Sequence, residues 1–216
     1  LSAFLLKDKS VEVNAVKKNV SFFSFLSYWK HSPVEYRKLV IGLLLFTLFN
    51  SSDVFLLLRI KQSGLDDSSV IAVYIFYNLI YAICSYPLGV LADKIGLKSI
   101  FIIGLVAYGI VYFGMGYSED KIVYYLLFFL YGIYAAATEG ISKAWISNIS
   151  ERKDTATAIG MYTGFQSICT MLASSMAGFI WFKFGVSATF YVTGSVTLFV
   201  IIYFTFFVSK IQNSKH

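Results

Sequence analysis

The sequence predicts an all-α membrane protein with six transmembrane helices, and three observations carry that prediction. Of the 216 residues, 57% are hydrophobic and only 14% are charged. A soluble domain carries roughly a quarter charged residues, so this chain has too few polar side chains to cover a soluble surface. Six apolar runs, each near the ~20 residues needed to cross a hydrocarbon core, are separated by short polar connections. Lys and Arg fall mostly on alternate connections, the pattern left by retention of basic residues on the cytoplasmic side. The net charge of +6 therefore reads as topology, and no nucleic-acid partner is expected.

Residues 1–38 precede the first span. Leu1-Ser2-Ala3-Phe4-Leu5-Leu6 is too short for a signal peptide and has no basic region before it; it reads as the last turns of an earlier helix, so the chain is expected to be a fragment. A basic linker follows, holding Lys17, Lys18, Lys30, Arg37 and Lys38. Within it, residues 22–29 are aromatic and too short to span. They suit either a helix in the headgroup region, with Tyr28 and Trp29 at the interface, or a helix tucked against the bundle. Pro33 allows a fresh start.

The expected spans are 39–60, 70–92, 99–117, 122–146, 155–181 and 186–208, with 209–216 as a tail. Asp67 or Ser68, Ser118 and Asp154 are the expected N-caps of the second, fourth and fifth helices. Lys7, Lys9, Lys17, Lys18, Lys30, Arg37, Lys38, Lys94, Lys98, Arg152, Lys153, Lys210 and Lys215 fall on one side of the membrane. Arg59, Lys61, Lys121 and Lys183 fall on the other. This bias predicts that both termini are cytoplasmic.

The third and sixth spans contain no ionisable residue and are expected to face lipid. The fifth has Gly160/Gly164 and Ser174/Gly178 four apart, a spacing that lets helix backbones approach closely. Cys84 and Cys169 sit in apolar helices as small packing residues, and His31 and His216 in a loop and a tail. No Cys/His ligand spacing, phosphate loop, Rossmann fingerprint or nucleophile elbow occurs, so neither metal nor cofactor is expected.

Between the second and third spans stands Gly89-Val90-Leu91-Ala92-Asp93-Lys94-Ile95-Gly96-Leu97-Lys98. Gly89 and Gly96 lack the Cβ that would obstruct a tight reversal or close helix contact. Asp93 can cap or approach a helix N-terminus. Gly89, Asp93, Lys94, Gly96 and Lys98 match the loop motif of the major facilitator superfamily, G-x-x-x-D-(R/K)-x-G-(R/K)-(R/K), and Leu97 departs from it. The chain resembles the C-terminal six-helix half of a transporter of that family, two three-helix repeats in one bundle.

What the resemblance implies is a secondary transporter of the cytoplasmic membrane, moving a small solute by alternating access, with proton coupling usual and efflux one direction it can take. It further implies a missing N-terminal six-helix half as partner. A self-contained six-helix channel or carrier acting as a homodimer is the alternative. A membrane enzyme would need a catalytic pair at one depth; neither His lies in a span, and the span carboxylates Asp53 and Glu139 are expected at different depths.

Residue types alone single out the first and fourth spans. Thr47, Asn50 and Asp53 recur at i, i+3 and i+6, predicting one polar stripe with Ser51 and Ser52 beside it. Glu139 and Lys143 are four apart on the fourth span, near Tyr131, Ala135 and Thr138. The resemblance places these two helices around the central cavity. A charge at mid-bilayer costs about 2.5–3.5 kcal/mol on insertion scales, so it needs a partner, water or a function. Asp53 reads either as a cavity carboxylate for a proton or a cationic substrate, or as a bundle carboxylate satisfied by neighbours such as Asn78 or Tyr81. Tyr77, Asn78 and Tyr81 on the second span join the candidate cavity. Glu139 and Lys143 can pair on their own helix, either as a cytoplasmic gate that exchanges partners with Asp93 or as a structural ion pair.

Overall fold

The computed structural model describes residues 24–208; the expectations for 1–23 and for the 209–216 tail lie outside the described residues. Helix α1 (Ser24–His31) precedes a span made of two pieces, α2 (Val34–Phe49) and α3 (Val54–Gln62). Then come α4 (Asp67–Ile95), α5 (Leu97–Tyr117), α6 (Lys121–Ile149), α7 (Thr155–Phe184) and α8 (Val186–Phe207). With α2 and α3 taken as one, six helices are long and apolar enough to cross a membrane. This is a multi-pass membrane protein built from a six-helix bundle.

Most helices run longer than their apolar cores, because an α-helix continues past the hydrocarbon until a residue stops it. Gly96 (φ 94°) alone separates α4 from α5, and Gly185 (φ 92°) alone separates α7 from α8. Both occupy backbone conformations that side chains bearing a Cβ adopt at a cost. Asp120 caps α6 by accepting a hydrogen bond from the Ile122 N–H at 2.7 Å. The N-cap of α4 is Asp66 and that of α7 is Asp154. Of the expected caps only Asp154 holds its position; in the other two turns a neighbouring aspartate takes the role.

The described part of the aromatic segment, α1, is tucked against the bundle. α1 packs on α7, and Tyr28 and Trp29 meet Tyr36 edge-on with ring centroids 5.2 and 6.4 Å apart.

The expectation that the third span faces lipid is corrected. α5 is the most buried of the spans, with 61% of its apolar window inside, against 11% for α4 and for α7. It packs chiefly on α6 and α8, leaving a stripe of Ile103, Val106 and Ile110 outside, with Tyr117 exposed at its end. Lipid tails and protein interiors are equally apolar, so hydrophobicity does not separate the two faces. Small residues do. A Cβ on Gly104 would come within 2.8 Å of Thr138 Cγ2, and one on Gly132 within 2.8 Å of the Tyr77 carbonyl oxygen.

The small-residue spacing of α7 is also corrected as a close-packing device within this bundle. Cβ atoms at Gly160 and Gly164 would meet nothing within 4 Å, and one at Gly178 only Phe55 at 3.7 Å.

Candidate functional site

The first span breaks near its middle. Asn50-Ser51-Ser52-Asp53 places four short polar side chains in succession, and such residues compete with the helix by bonding to nearby backbone. Asn50 leaves helical geometry (φ −85°, ψ 90°), and α3 starts afresh after Asp53. Non-helical backbone at this depth is tolerated only where protein or a water-filled cavity surrounds it. Here the Ser52 N–H reaches Ser174 Oγ of α7 at 3.4 Å, and the Val54 N–H reaches Ser52 Oγ at 3.4 Å. The expected stripe along a continuous helix is therefore corrected. Thr47 stays on α2, its hydroxyl donating to the Leu43 carbonyl at 2.9 Å, whereas Asn50 and Asp53 belong to the break.

Tyrosines from three helices close around the break. Tyr77 of α4 and Tyr131 of α6 each donate a hydroxyl to one Asp53 carboxylate oxygen, both at 2.5 Å. The Asn50 amide nitrogen donates to the Tyr134 hydroxyl at 2.9 Å, and the Tyr108 hydroxyl donates to the Asn50 amide oxygen at 3.0 Å. The rings brace one another: Tyr108 stacks on Tyr112 with centroids 4.1 Å apart, and Tyr131 lies 5.3 Å from both Tyr77 and Tyr134. Among the described residues no cationic side chain lies within 4.0 Å of the Asp53 carboxylate. Neutral hydroxyl donors hold this charge.

Below the break, toward the α2 N-terminus, a cavity of about 290 Å³ opens between α2, α6 and α7. Its walls include Thr47, Asn50, Tyr134, Thr138, Glu139, Ser142, Lys143 and Gln166. Glu139 and Lys143 are both exposed on α6 and form no ion pair with each other. They share the cavity with Thr47 and Asn50, two groups that the sequence had set apart. Tyr81 lies within electrostatic reach of Glu139, while Asn78 turns back to the Tyr74 carbonyl of its own helix at 2.8 Å. Asn78 and Tyr81, the neighbours expected to satisfy Asp53, do not; Tyr77, expected only in the cavity, does.

Tyr108, Tyr112 and Tyr134 were not among the expected residues. The signal was present: a mid-span tyrosine needs a partner for its hydroxyl, and Tyr108 and Tyr112 share a helix face at i, i+4. The absence of ionisable residues in α5 obscured it.

At the α4–α5 turn the reversal rests on Gly96 alone. Gly89 lies one helical stretch earlier, and a Cβ there would meet nothing within 4 Å, so the expected close contact at Gly89 is absent among the described residues. Asp93 and Lys94 are exposed at the end of α4, and the N-cap of α5 is Gly96, with no side-chain cap bond. Lys98 reaches across to α8, donating to the Thr205 and Val208 carbonyls at 2.9 and 2.6 Å. At the opposite face Arg59 does the same for α5, donating to Met115 O and Ser118 O at 3.1 Å each. A cation at a helix C-terminus satisfies orphan carbonyls and meets the negative end of the dipole.

A family model described as Major Facilitator Superfamily matches residues 39–216. The chain belongs to that superfamily. It is 38% identical over 158 residues to an uncharacterized MFS-type transporter of Methanocaldococcus jannaschii, a match covering 70% of this chain and 40% of that protein. The aligned chain thus spans well under half the length of the relative. Membership in the Major Facilitator Superfamily agrees with the loop motif, with the six-helix bundle and with a reading other than an enzyme.

Proposed function

We propose that this chain forms one six-helix half of a secondary transporter that moves a small solute by alternating access, driven by protons, with Asp53 as the coupling carboxylate. The observation that carries the reading is the broken first span. Asp53 stands at the break between two half-helices, and among the described residues its carboxylate is held by the Tyr77 and Tyr131 hydroxyls. Protonation converts the carboxylate from an acceptor of two hydroxyl bonds into a group that also donates, so a proton changes how α3 is tied to α4 and α6.

The polar cavity beside the break, reaching Glu139 and Lys143, is the solute path in this reading. The sparsely buried α4 and α7, with the small-residue face of α7, supply a surface for a second six-helix bundle. The charge bias supports a reading in which the termini and the Asp93 turn are cytoplasmic and the protein sits in the cytoplasmic membrane.

The test is Asp53→Asn in the full-length transporter. Expression stays near wild type and proton-driven accumulation is lost. If accumulation survives unchanged, Asp53 is a packing carboxylate.

A further inference from the structure

The cavity beside the break holds two opposite charges that do not neutralise each other. Of the residues lining it, only Glu139 and Lys143 are charged, and no ion pair joins them. Side chains four apart on a helix face have Cβ atoms about 5–6 Å from each other, and both of these are exposed. The Tyr81 hydroxyl is a hydrogen-bond partner of Glu139, but a carboxylate accepts about four hydrogen bonds, so capacity remains. Nearby hydroxyls add acceptors. Thr47, Thr138 and Ser142 each donate to a carbonyl of their own helix, at 2.9, 2.8 and 3.0 Å, which leaves their oxygens to accept. Thr47 and Ser142 share theirs with the Tyr162 hydroxyl.

This lining constrains what it can hold. One carboxylate and one ammonium sum to zero, so a solute ion of either sign would leave a net charge away from bulk water, which is costly. A solute carrying both charges leaves none. The acceptors cluster around Glu139 and suit an ammonium, whose three N–H groups need three of them. Lys143 and the Gln166 amide supply donors for a carboxylate. Leu43, Phe46 and Phe101 form an apolar wall, and about 290 Å³ is at the small end of the ~300–1,000 Å³ typical of ligand sites.

From this juxtaposition we infer that the cavity between α2, α6 and α7 binds a small α-amino acid with an uncharged side chain. The inference rests on this cavity being the solute path and names the class of solute. The ammonium of the amino acid meets Glu139, its carboxylate meets Lys143, and its side chain lies on the Leu43–Phe46–Phe101 wall. Charge-assisted hydrogen bonds of this kind run about 2.7–2.9 Å, so the two charges of one amino acid can bridge the gap that Glu139 and Lys143 leave open. An intrahelical pair on an exposed face is weak, and the solute displaces it at little cost.

The test is thermal unfolding of the full-length protein in detergent with each uncharged common L-amino acid, and with glycine betaine, at neutral pH and matched ionic strength. A ligand that binds only the folded state raises the midpoint in a saturable way. At least one amino acid should do so. Its amide, which lacks the carboxylate, and its N-acetyl derivative, which lacks the ammonium, should each need at least tenfold more for half the shift. In Lys143→Gln the preference for the acid over the amide should disappear, and in Glu139→Gln the preference over the N-acetyl derivative. No shift with any amino acid overturns the inference, as do a shift by betaine alone, an amide or N-acetyl derivative that matches its parent, and preferences unchanged in both variants. Should a variant fail to elute as a monodisperse peak, the wild-type comparison of parent with derivatives still decides. The assay needs no gradient, so it stands apart from the transport assay: loss of proton-driven accumulation in Asp53→Asn without any amino-acid shift keeps the coupled transporter and removes this class of solute.

Discussion

Gly132 on α6 is where the packing of the bundle and the geometry of the Asp53 site meet. A Cβ at this position would lie 2.8 Å from the Tyr77 carbonyl oxygen and 2.8 Å from Ile80 Cβ. The carbonyl belongs to the α4 backbone, so relief requires the helix itself to move. Ordinary contact begins near 3.4 Å, which calls for a separation of about 0.6 Å, and overpacking of this kind typically costs about 1–3 kcal/mol. The same movement lengthens the Tyr77–Asp53 bond from 2.5 Å to as much as about 3.1 Å, past the usual O–H···O range.

Gly132→Ala is therefore expected to lower the unfolding midpoint in detergent and to weaken coupling, although alanine is intrinsically the better helix former by about 1 kcal/mol. Gly109→Ala in α5 is the matched control, because a Cβ there meets nothing within 4 Å. It gains the same propensity without the clash and should be neutral or stabilising. If both alanine variants raise the midpoint, α4 and α6 are not in the tight contact described, and the Tyr77–Asp53 link loses its support.

Further outcomes follow from the same structure. Single cysteines at Ser118 and Lys183 should label with an impermeant thiol reagent from outside, and those at Lys94 and Lys153 should not; the reverse pattern overturns the charge-bias topology. Arg59→Ala leaves the Met115 and Ser118 carbonyls without their charged donor and should cost about 1.5–3 kcal/mol, read as a lowered unfolding midpoint, with a change near zero refuting the cap. For the cytoplasmic gate, Asp93→Asn and Lys143→Gln should each depress transport and increase cytoplasmic-side accessibility. The swap Asp93→Lys with Lys143→Asp should recover part of the loss, with a coupling of about 1–3 kcal/mol. Additive effects across that mutant cycle would show that the two residues do not interact.

The sequence carried the bundle further than it carried the site. Apolar length, charge bias and the Gly89–Lys98 motif are set by the bilayer and by tight-turn geometry, which act on local sequence, and they predicted six spans that the structure shows. Burial was harder to read. α5 looked like a lipid-facing helix because Ile and Phe suit lipid and protein alike, and only Gly104, Tyr108 and Tyr112 hinted otherwise.

Asn50 and Asp53 were readable as residue types, yet the stripe assumed a continuous helix. Four consecutive polar residues end a helix only where neighbours take over the freed backbone groups, and Ser174 of α7 lies 122 residues from Ser52 along the chain. Tyr131 and Tyr134 reach Asp53 and Asn50 from sequence separations of 78 and 84 residues, distances over which periodicity is silent. Glu139 and Lys143 satisfied the i, i+4 rule, but both face the cavity rather than each other, because a wet, open face gives a surface pair little to gain.

Whether Asp53 exchanges a proton can be observed without knowing the solute. Infrared difference spectra of the full-length protein between acidic and alkaline conditions report carboxyl groups that change protonation. A protonated-carboxyl band should appear in the wild type, vanish in Asp53→Asn and shift in Tyr131→Phe, which removes one hydroxyl donor from the carboxylate. A difference spectrum unchanged by Asp53→Asn would contradict its role as the proton carrier.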